Sequence, residues 1–148
     1  MVINATKDVD CIFLCETRLM PNELHTITND MNKMNYWCDV KSSIDPVVVL
    51  EGSPYGGVGM ICKIPGVCYI SLSTDNDRIS AMQIAINEKV YLTVIGMYMP
   101  HYDGNVNQIA QYNQTLEDVQ CIIDCIDPSP LMFLRDMNVV HVTCGTIN

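Results

Sequence analysis

Three apolar runs stop abruptly at polar groups suited to phosphate chemistry. Asp10-Cys-Ile-Phe-Leu-Cys15 ends at Glu16, Leu92-Thr-Val-Ile-Gly-Met97 at Tyr98, and Pro130-Leu-Met-Phe-Leu134 at Arg135-Asp136-Met137-Asn138. Cleaving a phosphoester needs an in-line nucleophile, relief of charge at phosphorus and help for the leaving oxygen. Carboxylates can anchor a metal or take a proton, and phenol and amide groups can hydrogen-bond phosphate oxygens. Short apolar runs without polar alternation suggest strands buried on both faces. In open α/β sheets, ligands gather beyond the carboxyl ends of such strands. Should the three runs lie side by side, Glu16, Tyr98, Asp136 and Asn138 share one patch.

The elements between these runs must do the positioning. Residues 1–8 read as the last turns of a helix. Thr17 to Lys33 reads as a loop and a short helix starting after Pro21, and Asn35 to Lys41 as a strand with Tyr36, Cys38 and Val40 on one face. A loop over Ser42 to Tyr55 carries the apolar stretch Val47 to Leu50. Gly56-Gly-Val-Gly59 leads into a strand, and the turn signal Ile64-Pro-Gly66 suggests a hairpin with Val67 to Leu72. Arg78 to Ile86 alternates, and Asn87-Glu-Lys89 marks a turn into Val90–Tyr98. Strands at such short intervals indicate a largely antiparallel sheet. Ile109, Tyr112, Leu116, Val119, Ile122, Ile123 and Ile126 recur at helical steps, and Pro128 and Pro130 end that helix.

The chain of 148 residues, 49% of them hydrophobic, suffices for one domain, 1–148. A chain of this length buries about 68–70% of its unfolded surface. No apolar stretch approaches the roughly 18 residues of a spanning helix. The amino terminus lacks a basic region followed by an apolar one, so no signal peptide is expected and the location is expected to be intracellular, nuclear or cytoplasmic. The net charge of −9 opposes nucleic-acid binding, which draws on Lys and Arg at phosphates, unless a metal and a local basic strip compensate. Of the eight cysteines, Cys11, Cys15, Cys62, Cys68, Cys121 and Cys125 sit inside apolar patterns and read as reduced, structural thiols.

Five segments, in this order, carry a resemblance to a known family: Asp10-Cys-Ile-Phe-Leu-Cys-Glu-Thr-Arg-Leu19, Gly56-Gly-Val-Gly59, Asp77-Arg-Ile79, Val94-Ile-Gly-Met-Tyr-Met-Pro100 and Asp136-Met-Asn138. Together they resemble the endonuclease/exonuclease/phosphatase superfamily, most closely the endonuclease domain of non-LTR retrotransposon polyproteins. The resemblance implies an α/β fold, a four-layer αββα sandwich, incomplete because the family's first strand would precede Met1 and its C-terminal strands would follow Asn148. Arg135 stands where the family has Gly before the Asp.

The resemblance also implies a chemistry: Mg²⁺-dependent (Mn²⁺ also fits) hydrolysis of nucleic-acid phosphodiesters by water attack, with DNA as partner. Glu16 would be the metal ligand, Asp136 would orient or deprotonate the water, Asn138 would position Asp136 or the phosphate, and Tyr98 would hydrogen-bond the phosphate or leaving group. Arg78 and His101 are weaker candidates for substrate contact. Without a Lys and a following helix, Gly56 to Gly59 reads as a flexible strand entry rather than a phosphate loop. Two alternatives stay open: a catalytically inactive remnant or protein-interaction domain, and a phosphatase on small phosphoesters. Exposed sheet edges imply self-association.

Overall fold

The computed structural model describes residues 9–44, 56–100 and 106–136. The helix expected over 1–8 and the apolar stretch 47–50 lie outside the described residues. The order is β1 (Cys11–Cys15), α1 (Pro21–Lys33), β2 (Trp37–Lys41), β3 (Val58–Cys62), β4 (Cys68–Leu72), β5 (Ile79–Ile86), β6 (Lys89–Tyr98), α2 (Val106–Cys125) and β7 (Leu131–Asp136). These strands make two sheets, β1-β3-β2 and β4-β5-β6-β7. The fold is α/β, of the expected two-sheet type.

One apolar cluster fills the space between the sheets. Met60 and Cys62 of β3 meet Met82 and Ile84 of β5 and Val94 of β6, with Phe13, Trp37, Tyr69 and Leu134 packed around them. A second cluster lies on the other face of the larger sheet, where Ile79, Ala81, Ile95, Met97 and Met99 receive Val119 and Ile122 of α2. The first seven residues of β5 are therefore buried although its side chains alternate between faces. β1 is only half-buried and β7 largely exposed, so of the three runs only that of β6 is buried along most of its length.

Turn chemistry sets the connections. Asn87 and Glu88 take positive φ (50° and 66°), which suits the tight β5–β6 hairpin. β6 and β7 pair in parallel, with α2 as their crossover. Pro21 opens α1, and the Glu23 carboxylate accepts the Met20 backbone N–H at 2.8 Å. Leu24, Ile27, Thr28 and Met31 form the half-buried side of α1, which packs against β2.

Four expectations need correction. The Ile64-Pro-Gly66 turn does not close a hairpin: β3 is flanked by β1 and β2 and has no edge left for β4, so the chain passes to the other sheet. The three chemistry-bearing runs are not neighbours in one sheet, because β1 lies across the sandwich from the adjacent pair β6 and β7. Of the stripe expected on α2, Tyr112, Val119, Ile122 and Ile123 pack against the sheet, with Thr115 buried beside them, whereas Ile109 and Leu116 are exposed. Finally, Cys11 and Cys62 form a disulfide: the antiparallel register sets them opposite each other at a Cα separation of 4.2 Å. Cys15, Cys38, Cys68, Cys121 and Cys125 are free thiols.

The sheets approach closely at Gly96. A Cβ there would collide with the Phe13 ring and with Met60 Cε. Both obstacles belong to the inter-sheet cluster, so a methyl group could enter only by displacing the Phe13 ring and the end of Met60. Gly96→Ala is expected to destabilise the fold by about 1–3 kcal/mol, the usual cost of overpacking a filled core. Urea unfolding followed by circular dichroism measures this; an unchanged midpoint would show that Phe13 does not fix the spacing.

Candidate active site

Glu16 follows β1 and Tyr98 closes β6, in different sheets. The Phe13–Gly96 contact, near the ends of these two strands, brings them together. The Tyr98 hydroxyl donates to Glu16 Oε1 at 2.7 Å. Asp136 reaches the same place along another route. β7 pairs in parallel with β6 so that Asp136 stands at the register position of Tyr98, and the Met99 N–H donates to the Asp136 carbonyl at 2.9 Å. The half-buried Cys15 thiol lies close enough to both carboxylates to sense them. Burial, then Asp136, then Glu16 push its pKa up to about 11, because each disfavours a thiolate.

Arg78 also belongs to this end. Its carbonyl accepts the Tyr98 N–H at 2.9 Å, and its guanidinium carbon sits 5.5 Å from the centre of the Tyr98 ring. The structure thus brings Glu16, Tyr98, Arg78 and Asp136 to one end of the sandwich. Asn138 and His101 lie outside the described residues.

Several residues of the site carry no motif that would have marked them. Arg18 lies 3.8 Å from Glu16, both side chains at least half exposed, so the pair adds charge balance more than stability. Lys41 of β2 is half-buried and donates to the carbonyls of Thr74 at 2.8 Å and Asn76 at 3.2 Å. Burial lowers its pKa, while Asp39, Asp77 and Asp75 pull it back upward. Asp39, beside it on β2, accepts a hydrogen bond from Ser80 on β5. The cations at this end, Arg18, Lys41 and Arg78, stand among carboxylates: Arg18 beside Glu16, and Lys41 near Asp39, Asp75 and Asp77.

The glycine pair before β3 has a definite task. Gly56 and Gly57 both adopt φ near +80°, where side-chain-bearing residues are strained. In that conformation the Gly57 carbonyl accepts the Thr17 N–H at 3.3 Å and the Gly56 carbonyl accepts the Arg18 N–H at 3.1 Å. Ser43 Oγ in turn accepts the Gly57 N–H at 2.7 Å. Glu16 and Arg18 themselves have φ of 51° and 55°, a conformation that these bonds hold in place. The segment read as a flexible entry is a clamp on the Glu16 loop.

A metal at this end would have Glu16 as its anchor. Among the described residues, no three His, Cys, Asp or Glu side chains converge as a cage. One half-exposed carboxylate still suits Mg²⁺, which typically takes one or two carboxylates and keeps several waters.

Three solved structures share the fold. The human Nocturnin catalytic domain with bound sulfate aligns at TM-score 0.54 and 14% identity, over 88% of this chain and 52% of its own. Humanized D. rerio TDP2 aligns at 0.53 and 17%, over 95% and 53%. ANGEL2, a 2′,3′-cyclic phosphatase, aligns at 0.53 and 12%, over 91% and 41%. These are folds of the endonuclease/exonuclease/phosphatase type, and the chain has that fold while spanning about half of their length. No family model and no curated protein sequence matches the chain. Among the described residues no helix is long and apolar enough to cross a membrane.

The clamp can be tested directly. A Cβ at Gly57 would stand 2.6 Å from Thr17 Oγ1 and 2.9 Å from the Lys41 carbonyl, at a φ that already disfavours it. Gly57→Ala is expected to cost about 1–3 kcal/mol and to shift the Glu16 backbone amide in a heteronuclear NMR spectrum. A Glu16 resonance that stays in place would mean that the loop does not depend on the glycines.

Proposed function

We propose that this chain carries the phosphoesterase site of an endonuclease-like domain, acting on nucleic-acid phosphodiesters, DNA among them, in the manner of non-LTR retrotransposon endonucleases. The observation that carries the reading is the Tyr98–Glu16 hydrogen bond between the two sheets, with Asp136 one strand away from Tyr98. A carboxylate, a phenol and a second carboxylate then face one phosphate. The fold shared with the ANGEL2 2′,3′-cyclic phosphatase supports phosphoester chemistry as the class.

In this reading Glu16 holds Mg²⁺ or Mn²⁺, which when bound supplies charge relief at phosphorus. Tyr98, already donating to Glu16, lies where its hydroxyl can turn to a phosphate oxygen or the leaving oxygen. Asp136 orients the attacking water and takes its proton, with Asn138, two residues on, as its positioning partner. Arg78, stacked on the Tyr98 ring, and Arg18, beside Glu16, offset phosphate charge where the rest of the chain is acidic. His101, three residues beyond Tyr98 in sequence, is a further candidate for substrate contact.

Supercoiled plasmid incubated with Mg²⁺ is expected to be nicked. Glu16→Ala and Asp136→Ala should each reduce nicking by about 10²-fold or more, the range for loss of a general acid–base group. Background nicking by all three proteins would reject the activity. Phosphate release from small phosphoesters without nicking would move the substrate to that class.

A second reading, an inactive remnant used for protein contacts, is favoured by the β7 edge, where Leu131, Met132 and Phe133 are each 40–45% exposed. An apolar edge strand is a template for pairing with another chain. The isolated chain is therefore expected to self-associate in light scattering, with mass rising with concentration. A monomer at all concentrations would contradict this.

A further inference from the structure

We propose that Asn76, anchored by Lys41 from one sheet and by Asp118 from α2, is the positioning residue that holds Arg78 over the Tyr98 ring. Asn76 lies in the β4–β5 loop, and each of its four polar atoms is engaged. Its Oδ1 accepts the Arg78 N–H at 2.9 Å, while its Nδ2 donates to Asp118 Oδ2 at 2.6 Å. Its N–H donates to Thr74 Oγ1 at 3.2 Å. Its carbonyl accepts Lys41 Nζ at 3.2 Å and the Ile79 N–H at 3.3 Å.

The orientation of the amide is fixed by its partners. Flipped, it would set its oxygen against the Asp118 carboxylate and its NH₂ against the Arg78 N–H, losing both bonds. Asp118 is itself steadied by Gln114 Nε2 at 3.0 Å. The resulting chain of contacts runs from α2 through Asn76 to the Arg78 backbone, then to the Tyr98 ring and to Glu16. With Asp at position 118, the side chain at 76 must accept from the Arg78 N–H at one end and donate to the Asp118 carboxylate at the other. The inference deepens the phosphoesterase reading, because Arg78 lies over the ring of Tyr98, whose hydroxyl meets Glu16.

A swap of donor and acceptor tests this. Asn76→Asp places a second carboxylate against Asp118, whereas Asn76→Asp with Asp118→Asn restores the bond with its polarity reversed. The chain has three arginines, so the Nε–Hε signal of Arg78 is readily assigned by comparison with Arg78→Lys. In the wild type that signal is expected to be displaced by the Tyr98 ring current, with Tyr98→Leu defining the undisplaced position. Asn76→Asp should move the signal most of the way to that position, and the double swap should return it.

Nicking should follow the same order, falling about tenfold and then recovering, as expected for directly coupled residues. An Arg78 signal unmoved by Asn76→Asp overturns the proposal, as does a double swap that folds normally but leaves the signal at the undisplaced position. Should Asn76→Asp fail to fold, Asn76→Ala, which adds no like charge, is read by the same criterion. Loss of the NMR pattern refutes the positioning, whereas a wild type that never nicks refutes only the enzymatic reading.

Discussion

The Phe13 ring needs the space left by the missing side chain of Gly96, and the site follows from that constraint. Two sheets pack face to face at a spacing set by the side chains between them, ordinarily about 10 Å. At this point one strand presents only backbone to an aromatic ring, leaving no room for a Cβ. Phe13 is three residues from Glu16 and Gly96 is two from Tyr98. The ends of β1 and β6 therefore arrive within hydrogen-bonding range. A larger residue at position 96 would separate the sheets where the carboxylate and the phenol meet.

Around that contact, the polar groups are held by loops rather than by strands. The Glu16 loop is pinned by carbonyls of Gly56 and Gly57, and the loop before Arg78 by Lys41 and Asn76. Both pins link segments distant in sequence. Lys41 spans from the smaller sheet to the loop that opens β5, and the Asp39–Ser80 bond repeats the link one turn of pleat away. Polar ties between the two sheets restrict their separation at this end without apolar packing.

Much of the strand and helix content was legible because periodicity and punctuation carry it. Pro21, Asn87-Glu88 and Pro128 stand at element boundaries, and the apolar runs of β1, β6 and β7 end where expected. The sheet assignment was not legible. Ile64-Pro-Gly66 resembles a hairpin turn whether or not the preceding strand has a free edge, and only the full pairing of β3 decides that. The α2 seam was legible in Tyr112, Val119, Ile122 and Ile123 and missed at Thr115, because a hydropathy pattern passes over a buried threonine.

The site was legible in its strand-end carboxylates and tyrosine, and not in its supports. Glu16, Tyr98 and Asp136 stand out because each breaks an apolar run. Asn76, Lys41 and the Cys11–Cys62 pair break no pattern; an Asn in a loop and a Lys at a strand end are what solvent exposure alone would produce. Their roles come from partners 33 to 51 residues away, which composition and local spacing do not encode. The same separation explains the charge. A net of −9 describes the whole chain, yet Arg18 after β1, Lys41 on β2 and Arg78 before β5 are brought to one end, beside carboxylates that share it, which the net charge does not reveal.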